Sequence, residues 1–338
     1  MPTKERESNF ELLRIICMLM VMTVHAIGYI NEDELFGVRG ALNHFLGHFC
    51  TVCVNGFVMI SGWFGIKASW RGAAKLLFQV FYITAICVGV ALLLGLPVSF
   101  EKDILPFLLL GKGYWFVVAY LILYALAPVL NAFIEHVDQK TFRNVLISWL
   151  IVEFFYGYLL DTGHFAFGFS PLFFISLYLL ARYARLYPGK LFSLPKWVDF
   201  SIYAGLILIS ATLFWFGYRW FGMGFHLNHS DSPLAIAASL FFLLGFSKMH
   251  FHSKAINWLA ASAFAIYLVH EHPLVSGRYD QVFETISAHL PLGFVYPVSL
   301  IAIICIAFLC ILIDKPRIPL WRAIDKKLKS IRICCPEK

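Results

Sequence analysis

Long runs of apolar residues recur along the whole chain and determine its architecture. Each run is about 20 residues long, the length of a helix that crosses the hydrocarbon core of a bilayer. The runs are continuous and do not alternate between apolar and polar positions, which favours helices over the strands of a membrane barrel. We therefore predict an all-α, polytopic integral membrane bundle of about ten transmembrane helices, at roughly residues 8–30, 42–66, 72–95, 113–134, 142–160, 166–186, 197–219, 232–250, 255–276 and 290–314.

The Lys and Arg residues are distributed unevenly between the two ends of these predicted helices. With residue 1 in the cytoplasm, most of the 27 Lys and Arg residues fall in cytoplasmic segments, including the stretch 315–338. The opposite segments are acidic, as in the Asn-Glu-Asp-Glu stretch at 31–34. By the positive-inside rule this distribution predicts both termini in the cytoplasm and a multi-pass protein of the cytoplasmic (inner) membrane, surrounded by its lipids.

Composition agrees with a membrane domain and removes the need for a nucleic-acid partner. Hydrophobic residues make up 60% of the chain and charged residues 14%, and the mean hydropathy is +0.76. Basic loops beside lipid account for the net charge of +7. Since the loops are short, we expect a single domain over 1–338, with a basic cytoplasmic tail at 315–338 and any chemistry inside the bundle. The outer segments 96–112, 219–231 and 277–289 are interpreted as lids or re-entrant pieces.

The first apolar run carries three polar side chains that are costly to bury, those of Glu11, Arg14 and His25. Arg14 and His25 are eleven residues apart, so a helix places them on the same face, about 16 Å apart along its axis. Glu11 is one turn from Arg14 and within reach of an ion pair. Because intramembrane charges usually face a cavity or a partner, this face is predicted to line a polar interior. The alternative is that Glu11 and Arg14 neutralise each other at the headgroup level and that His25 makes a helix contact.

Two other groups of potential metal ligands carry weaker signals. His44 and His48 stand one helical turn apart, as metal ligands can, but no third ligand is evident and no metal site is predicted. Cys50 and Cys53 have the spacing of a redox or metal pair. Inside an apolar helix, however, they are interpreted as small core residues.

Four stretches in the order of the chain resemble the motifs of acyltransferase family 3, the integral-membrane acyltransferases. The first, SNFELLRIICMLMVMTVH at 8–25, resembles the branch that O-acylates bacterial capsular and exopolysaccharides. VNGFVMISGWFG at 54–65, YWFVVAYLILYALAPVLN at 114–131 and SAFAIYLVHEHP at 262–273 resemble the later motifs. The matching positions are Arg14, His25, Ser61, Gly62, Trp115, Tyr120, Tyr124, Pro128, Asn131, Tyr267, His270 and Glu271.

The resemblance implies acyl transfer from a cytosolic acyl-CoA, most often acetyl-CoA, with no permanently bound cofactor. The acceptor would be a hydroxyl of a cell-surface glycan or of a lipid-linked sugar. A hydroxyl needs a base to take its proton, which suits His25 as the catalytic base or, alternatively, as a transient acyl carrier. Arg14 stays protonated and is predicted to be the second catalytic residue. It would hold a donor phosphate or carbonyl, or stabilise the oxyanion of the tetrahedral intermediate.

The phosphates of an acyl-CoA require cations at the cytoplasmic side. Besides Arg14, we predict that Arg71 and Lys75 bind them, in a stripe that begins at Lys67 between the second and third predicted helices. The family often has an Arg-x-x-Arg pattern here, which this chain lacks. An ordinary positive-inside loop is the alternative interpretation of these residues.

The other motifs supply candidate contacts for the acceptor. Aromatic faces can stack on sugar rings, and the penultimate helix brings a polar pair to about the depth of His25. Interfacial aromatics and a helix-end polar pair at the headgroups are the alternatives. Ser61 and Gly62 are interpreted as small-residue helix packing. The predicted substrate-binding residues are Trp115, Tyr120, Tyr267, His270 and Glu271.

A second class of function fits the same composition. Ten helices with sparse buried charges would also suit a transporter or flippase that moves a polar substrate through the intramembrane cavity. Such carriers often consist of two related halves, and the sequence shows no internal repeat.

Overall fold

The computed structural model describes residues 7–29, 37–108, 113–160 and 165–334, and within these ranges the chain forms helices and no strands. Single π-helical segments occur at Phe100–Ile104 and Glu153–Leu159. The α-helices are α1 (Ser8–Tyr29), α2 (Val38–Cys50), α3 (Val52–Phe64), α4 (Trp70–Leu93), α5 (Trp115–His136), α6 (Gln139–Val152), α7 (Pro171–Leu186), α8 (Lys196–Phe221), α9 (Pro233–Ser247), α10 (Lys254–Ala260), α11 (Phe264–His270), α12 (Pro273–His289), α13 (Leu292–Asp314) and α14 (Arg317–Cys334).

Six helical stretches in the described part of the chain are long and apolar enough to cross a membrane. The all-helical, multi-pass architecture is therefore confirmed, whereas the number of about ten spans and the orientation of the termini stay predictions. The six stretches are Ser8–Gly28, Val38–Phe64, Trp70–Leu93, Trp115–His136, Lys196–Phe221 and Leu292–Leu328.

Several predicted spans are interrupted, because local backbone changes divide them. The predicted helix at 42–66 consists of α2 and α3, which meet at a turn at Thr51; the backbone there keeps helical dihedral angles, so Val38–Phe64 remains one membrane-crossing stretch. The predicted helix at 142–160 changes from α6 into a π-helical segment at Glu153. The predicted helix at 255–276 divides at 261–263 into α10 and α11. Apolar composition continues through all three breaks, so hydropathy alone does not reveal them.

α1 lies inside the bundle, packed against α2, α3, α10 and α12 among others. At its start, the Ser8 hydroxyl donates to the side chain of Asn257 in α10 at 2.9 Å. Towards its end, the Tyr279 hydroxyl of α12 donates to the Met22 carbonyl at 2.6 Å. These contacts hold both halves of α1, and with them the depth and direction of its polar face.

α3 and α7 approach closely at Gly62. A β-carbon at Gly62 would lie 2.8 Å from the backbone Cα of Tyr178, which leaves no room for a side chain. The neighbouring Tyr178 hydroxyl donates to Asn131 at 2.6 Å and accepts from the backbone N–H of Ile66 at 3.0 Å. The motif glycine therefore permits helix packing, as the sequence interpretation proposed.

Several Lys and Arg side chains, among them Arg182 and Arg185, lie at the end of the bundle where α1 begins, which we call the basic end. Phe10 of α1 packs there on Phe64, with ring centroids 4.7 Å apart. Arg182 and Arg185 of α7 both donate to the Trp63 carbonyl at 3.2 Å. This one-sided distribution is the one that the positive-inside rule favours next to the cytoplasm.

Two segments without a long apolar run are nevertheless helical. The segment 277–289, interpreted as an outer lid or re-entrant piece, belongs to α12 and carries Tyr279 and Phe283 into the core. The stretch interpreted as a basic tail at 315–338 contains α14, and its last residues, 335–338, lie outside the described ranges. Both helices are amphipathic or polar, so the apolar-run criterion does not detect them.

Candidate active site

A cavity of 460 Å³ lies at the end of the bundle opposite the basic end, near the last turn of α1. Its wall is largely apolar, with polar groups at a few places, which is typical of a small-molecule site. It is lined by Met18, Val21, Val24, His25, His44, Gly47, His48, Thr51, Cys53, Val54, Phe57, Trp115, Phe116, Phe167, Phe169, Asn228, His229, Ser230 and Tyr267.

His25 meets His270 and Glu271 at this cavity. The His25 Nδ1 atom is 2.9 Å from Nε2 of His270 and 2.7 Å from the nearer carboxylate oxygen of Glu271. His270 is buried, with 1% of its surface exposed, whereas the side chains of His25 and Glu271 are each about one-third accessible. The fold therefore unites the polar residues of the first motif and the last.

A backbone carbonyl determines which nitrogen atoms of His25 and His270 carry protons. Nδ1 of His270 lies 2.6 Å from the carbonyl of Ile266, which can only accept, so Nδ1 is the donor. When His270 is neutral, its Nε2 is an acceptor. The N–H at Nδ1 of His25 is then shared between Nε2 of His270 and the carboxylate of Glu271. The lone pair of His25 is left on Nε2, on the ring that lines the cavity. An imidazole oriented in this way by a carboxylate has the arrangement of a general base.

The packing of α11 explains why His270 and Glu271 reach α1. The Tyr114 hydroxyl donates to the carbonyl of Leu268 at 2.5 Å, and Tyr267 packs on Tyr114 with ring centroids 5.7 Å apart. α11 ends at His270, and Glu271 is its C-terminal cap. The short helix thus presents two successive polar side chains at its end, beside His25.

His48 adds a second polar group that the sequence did not reveal as a site residue. It is 2% exposed and lines the cavity, and its Nδ1 donates to the backbone carbonyl of His44 at 3.1 Å. Its Nε2 meets no hydrogen-bond partner among the described residues. Nε2 of His44 in turn donates to the Ala211 carbonyl at 3.1 Å. Both rings are thereby fixed by carbonyls, and a neutral His48 keeps an acceptor lone pair on Nε2.

Two loops with strained backbone cover part of this cavity. Phe167 and His229, one from each loop, pack with ring centroids 4.5 Å apart. The Asn55 side chain donates to the Ser230 carbonyl at 2.8 Å and ties the second loop to α3. In the described ranges, the non-glycine residues with positive φ are Ala166 and Phe167 in the first loop and Phe225 and His226 in the second. Positive φ at residues other than glycine is uncommon outside functional sites and tight turns.

Arg14 lies on the same face of α1 as His25 but nearer the basic end, and it is not among the lining residues of the cavity. It donates to Glu11 at 2.8 Å, and its side chain remains 33% exposed. Met18, one turn further on, does line the cavity. Arg14 also interacts electrostatically with Tyr120. The guanidinium and the imidazole are thus separated by about 16 Å along the axis, with the cavity at the His25 end.

The residues predicted to bind the acceptor divide into two groups. Trp115 and Tyr267 line the cavity, and His270 and Glu271 form the chain behind His25. Tyr120 is instead directed to the Ser61 hydroxyl, 3.1 Å away, outside the set of lining residues.

The cations predicted to bind the donor lie at the basic end. Arg71 is 3.9 Å from the Asp325 carboxylate of α14 and stacks over Trp70. Lys75 is exposed and lines a separate cavity of that end. Neither residue is near His25, so a donor that touches both regions must extend along the bundle.

His25, His270 and Glu271 also offer a possible set of metal ligands. Their ligand atoms all lie within 4.8 Å of one another, and two imidazoles with a carboxylate are donors that Zn²⁺ accepts. The distances of 2.7 and 2.9 Å at His25 Nδ1 fit shared protons equally well. The sequence predicted no metal site, and a chelator separates the two possibilities.

Comparison with known proteins agrees with this arrangement. A family model described as an acyltransferase domain, that of acyltransferase family 3, matches residues 7–313. Comparisons with curated proteins and with solved structures gave no match. The family match includes α1, with Arg14 and His25, and α11, with His270, and it ends before α14. The chain therefore belongs to acyltransferase family 3 and is a membrane acyltransferase.

Proposed function

We propose that the protein transfers an acyl group, most often acetyl, from cytosolic acyl-CoA to a hydroxyl of a cell-surface glycan or lipid-linked sugar. The carrying observation is the hydrogen-bonded chain from the Ile266 carbonyl through His270 to His25, with Glu271 beside it. It leaves the Nε2 lone pair of His25 on a ring that lines a cavity large enough for a sugar unit.

The proposed reaction is a direct transfer in the cavity. The acceptor hydroxyl oxygen attacks the thioester carbonyl carbon while Nε2 of His25 takes its proton. The imidazolium is stabilised by the Glu271 carboxylate at 2.7 Å. Collapse of the tetrahedral intermediate breaks the carbon–sulfur bond, and the departing CoA thiolate takes the proton back from His25. The products are an ester and free CoA, with no oxidant or reductant consumed.

Arg14 is proposed to hold the donor and not the oxyanion. About 16 Å of helix axis separates it from His25, too far for a guanidinium to reach a carbonyl that is also in contact with the imidazole. Arg14 is one-third exposed and lies one turn from the cavity residue Met18, so it is suited to an amide carbonyl or phosphate of the extended donor. The phosphates would remain at the basic end, near Arg71 and Lys75.

The acceptor is proposed to bind with its hydroxyls toward the His48 side of the cavity. The lone pair on Nε2 of His48 can accept only from a donor, and a polyhydroxylated ring supplies many O–H groups. Trp115 and Tyr267, which also line the cavity, provide aromatic faces on which a sugar ring can stack. Acceptors that offer only carbonyl or carboxylate oxygens would leave this lone pair unsatisfied.

A labelled-donor assay tests the proposal against the transporter alternative. Purified protein, acetyl-CoA labelled in the acetyl group and candidate glycolipids should give a labelled, base-sensitive ester on the glycolipid. Uptake of a polar solute into vesicles, independent of acyl-CoA and without ester formation, would contradict the proposal and favour a carrier.

A further inference from the structure

A second cavity, of 440 Å³, lies at the basic end between α4, α10 and α14. It has no lining residue in common with the His25 cavity. Much of its wall follows the family match, which ends at residue 313, so family membership assigns it no role. Its polar and aromatic lining residues are Lys75, Trp258, Lys315, Arg317, Trp321 and Arg322.

A buried ion pair builds one wall of this cavity. Arg317 is 2% exposed and donates from Nε and Nη2 to the two carboxylate oxygens of Asp314, at 2.7 and 2.8 Å. Gln79 of α4 donates to the same carboxylate at 3.0 Å. The first turn of α14 is thereby fixed against α4. Specific buried contacts therefore form this cavity wall, in a region that the sequence predicted to be a basic tail.

The lining is strongly cationic. Lys75, Lys315 and Arg322 share the cavity with Arg317, whose charge is matched by Asp314. The Lys315 ammonium lies 3.9 Å above the centroid of the Trp258 ring and donates to the Trp258 carbonyl, so its position is defined. Four cationic side chains around one cavity attract an anionic ligand such as a phosphate group.

Two tryptophans stand beside these cations. Trp258 remains 47% exposed, although Lys315 covers one face of its ring, and the partly buried Trp321 packs on Phe78 with ring centroids 5.4 Å apart. An accessible indole next to Lys and Arg is typical of sites that stack a nucleobase while cations hold its phosphates.

The cavity is at the right level of the bundle for the donor. Trp258 follows Asn257, which accepts a hydrogen bond from Ser8 at the start of α1. From Ser8 the polar face of α1 rises about 9 Å to Arg14 and about 25 Å to His25. A molecule with its nucleotide end here would therefore have its other end directed along α1.

We propose that the cavity of α4, α10 and α14 binds phosphoryl groups, and that its preferred ligand is the adenine nucleotide end of the acyl donor. An anionic phospholipid headgroup presents the same phosphate chemistry and is the other possible source. The identity of the ligand as donor rests on the proposed function, whereas the phosphate site itself does not.

Binding of adenosine 3′,5′-bisphosphate to the purified full chain in neutral detergent tests the proposal. We expect Lys315→Ala/Arg322→Ala to weaken binding by at least about tenfold, because two charge-assisted contacts are lost. Arg322→Glu should weaken it further. Lys140→Ala, which removes an exposed cation at the start of α6, is the matched control and should bind like the wild type. Thermal midpoints of all variants establish that they are folded.

A second arm identifies the source of the phosphate. In nanodiscs with increasing phosphatidylglycerol, an altered lipid dependence of the double variant's thermal midpoint, with unchanged nucleotide binding, would assign the site to headgroups. Unchanged behaviour of the double variant in both arms would overturn the proposal. Neither arm needs an acyl group, so the two proposals can fail separately. If the double variant lost nucleotide binding while the wild-type protein showed no acyl transfer, the proposed function would be refuted and the phosphate site would stand.

Discussion

His25 Nδ1 lies 2.9 Å from Nε2 of His270, a residue 245 positions further along the chain. The backbone carbonyl of Ile266 holds the proton of His270 on the opposite nitrogen, so the pair functions as one oriented unit. Glu271 adds a carboxylate to the same His25 nitrogen. This relationship makes His25 more than a polar residue in an apolar helix, because it specifies which of its atoms accepts a proton.

Removing the negative charge of Glu271 is expected to slow the chemical step. In Glu271→Gln the side-chain oxygen can still accept from His25, but the imidazolium loses its counter-charge. We expect kcat to fall about a hundredfold, with little change in the KM for either substrate. Steady-state kinetics with labelled acetyl-CoA measures both.

Glu284→Gln, an exposed acid on α12, is the matched control and should retain the wild-type kcat. An undiminished kcat in Glu271→Gln would show that the carboxylate does not take part in stabilising the charge on His25.

Truncation of His48 is expected to affect the acceptor alone. His48→Ala removes the lone pair on Nε2 and should raise the KM for the acceptor about tenfold, leaving the KM for acyl-CoA unchanged. His136 makes the same type of hydrogen bond, from Nδ1 to the carbonyl four residues earlier, but is exposed on α5. His136→Ala should therefore change neither constant. Equal acceptor KM values for His48→Ala and the wild type would remove His48 from the acceptor site.

A methyl group at Gly62 is expected to destabilise the fold. The new β-carbon would lie 2.8 Å from Cα of Tyr178 and closer still to its carbonyl oxygen, which a rotamer change cannot relieve. We expect a loss of about 1–3 kcal/mol, seen as a lower thermal midpoint in detergent.

Gly89 in α4 provides the comparison, since a β-carbon there would meet no atom within 4 Å. Gly89→Ala should be neutral or slightly stabilising. A Gly62→Ala variant as stable as Gly89→Ala would contradict the close approach of α3 and α7.

The buried pair Asp314–Arg317 is expected to contribute to stability only as a pair. Arg317→Ala leaves a buried carboxylate with Gln79 as its remaining donor and should cost about 3–5 kcal/mol. The double variant Asp314→Leu/Arg317→Met should recover most of that loss. Asp325→Asn, which breaks the longer and more exposed contact with Arg71, should change stability by less than about 1 kcal/mol. If Arg317→Ala were no less stable than Asp325→Asn, α14 would not be anchored as described.

Much of the site could be predicted from the helical geometry of one element. Periodicity places Arg14 and His25 on one face, and helical rise gives His270 a similar depth. The contact of His25 with His270 could not be predicted, because hydropathy does not determine which helices are neighbours. Contact between His25 and the polar side chains of His270 and Glu271 follows from the packing of Tyr114 on α11 and of Tyr279 on α1, not from any local pattern.

The remaining site residues lacked a distinguishing sequence signal. His48 becomes a site residue only through the cavity that it lines together with the loop around His229. α14 has no apolar run, and its role as a cavity wall depends on the contact of Asp314 with Gln79. Tertiary packing creates both features, so a single sequence predicts the helices more readily than the spaces between them.

The most direct test of the central claim is acyl transfer by His25→Ala. The account predicts that this variant keeps the wild-type thermal midpoint and loses at least about a thousandfold in kcat, since neither a base nor a carrier remains. EDTA should leave the wild-type rate unchanged if the chain of His25, His270 and Glu271 holds protons and no metal ion. A folded His25→Ala variant that transfers labelled acetyl groups at the wild-type rate would contradict the account.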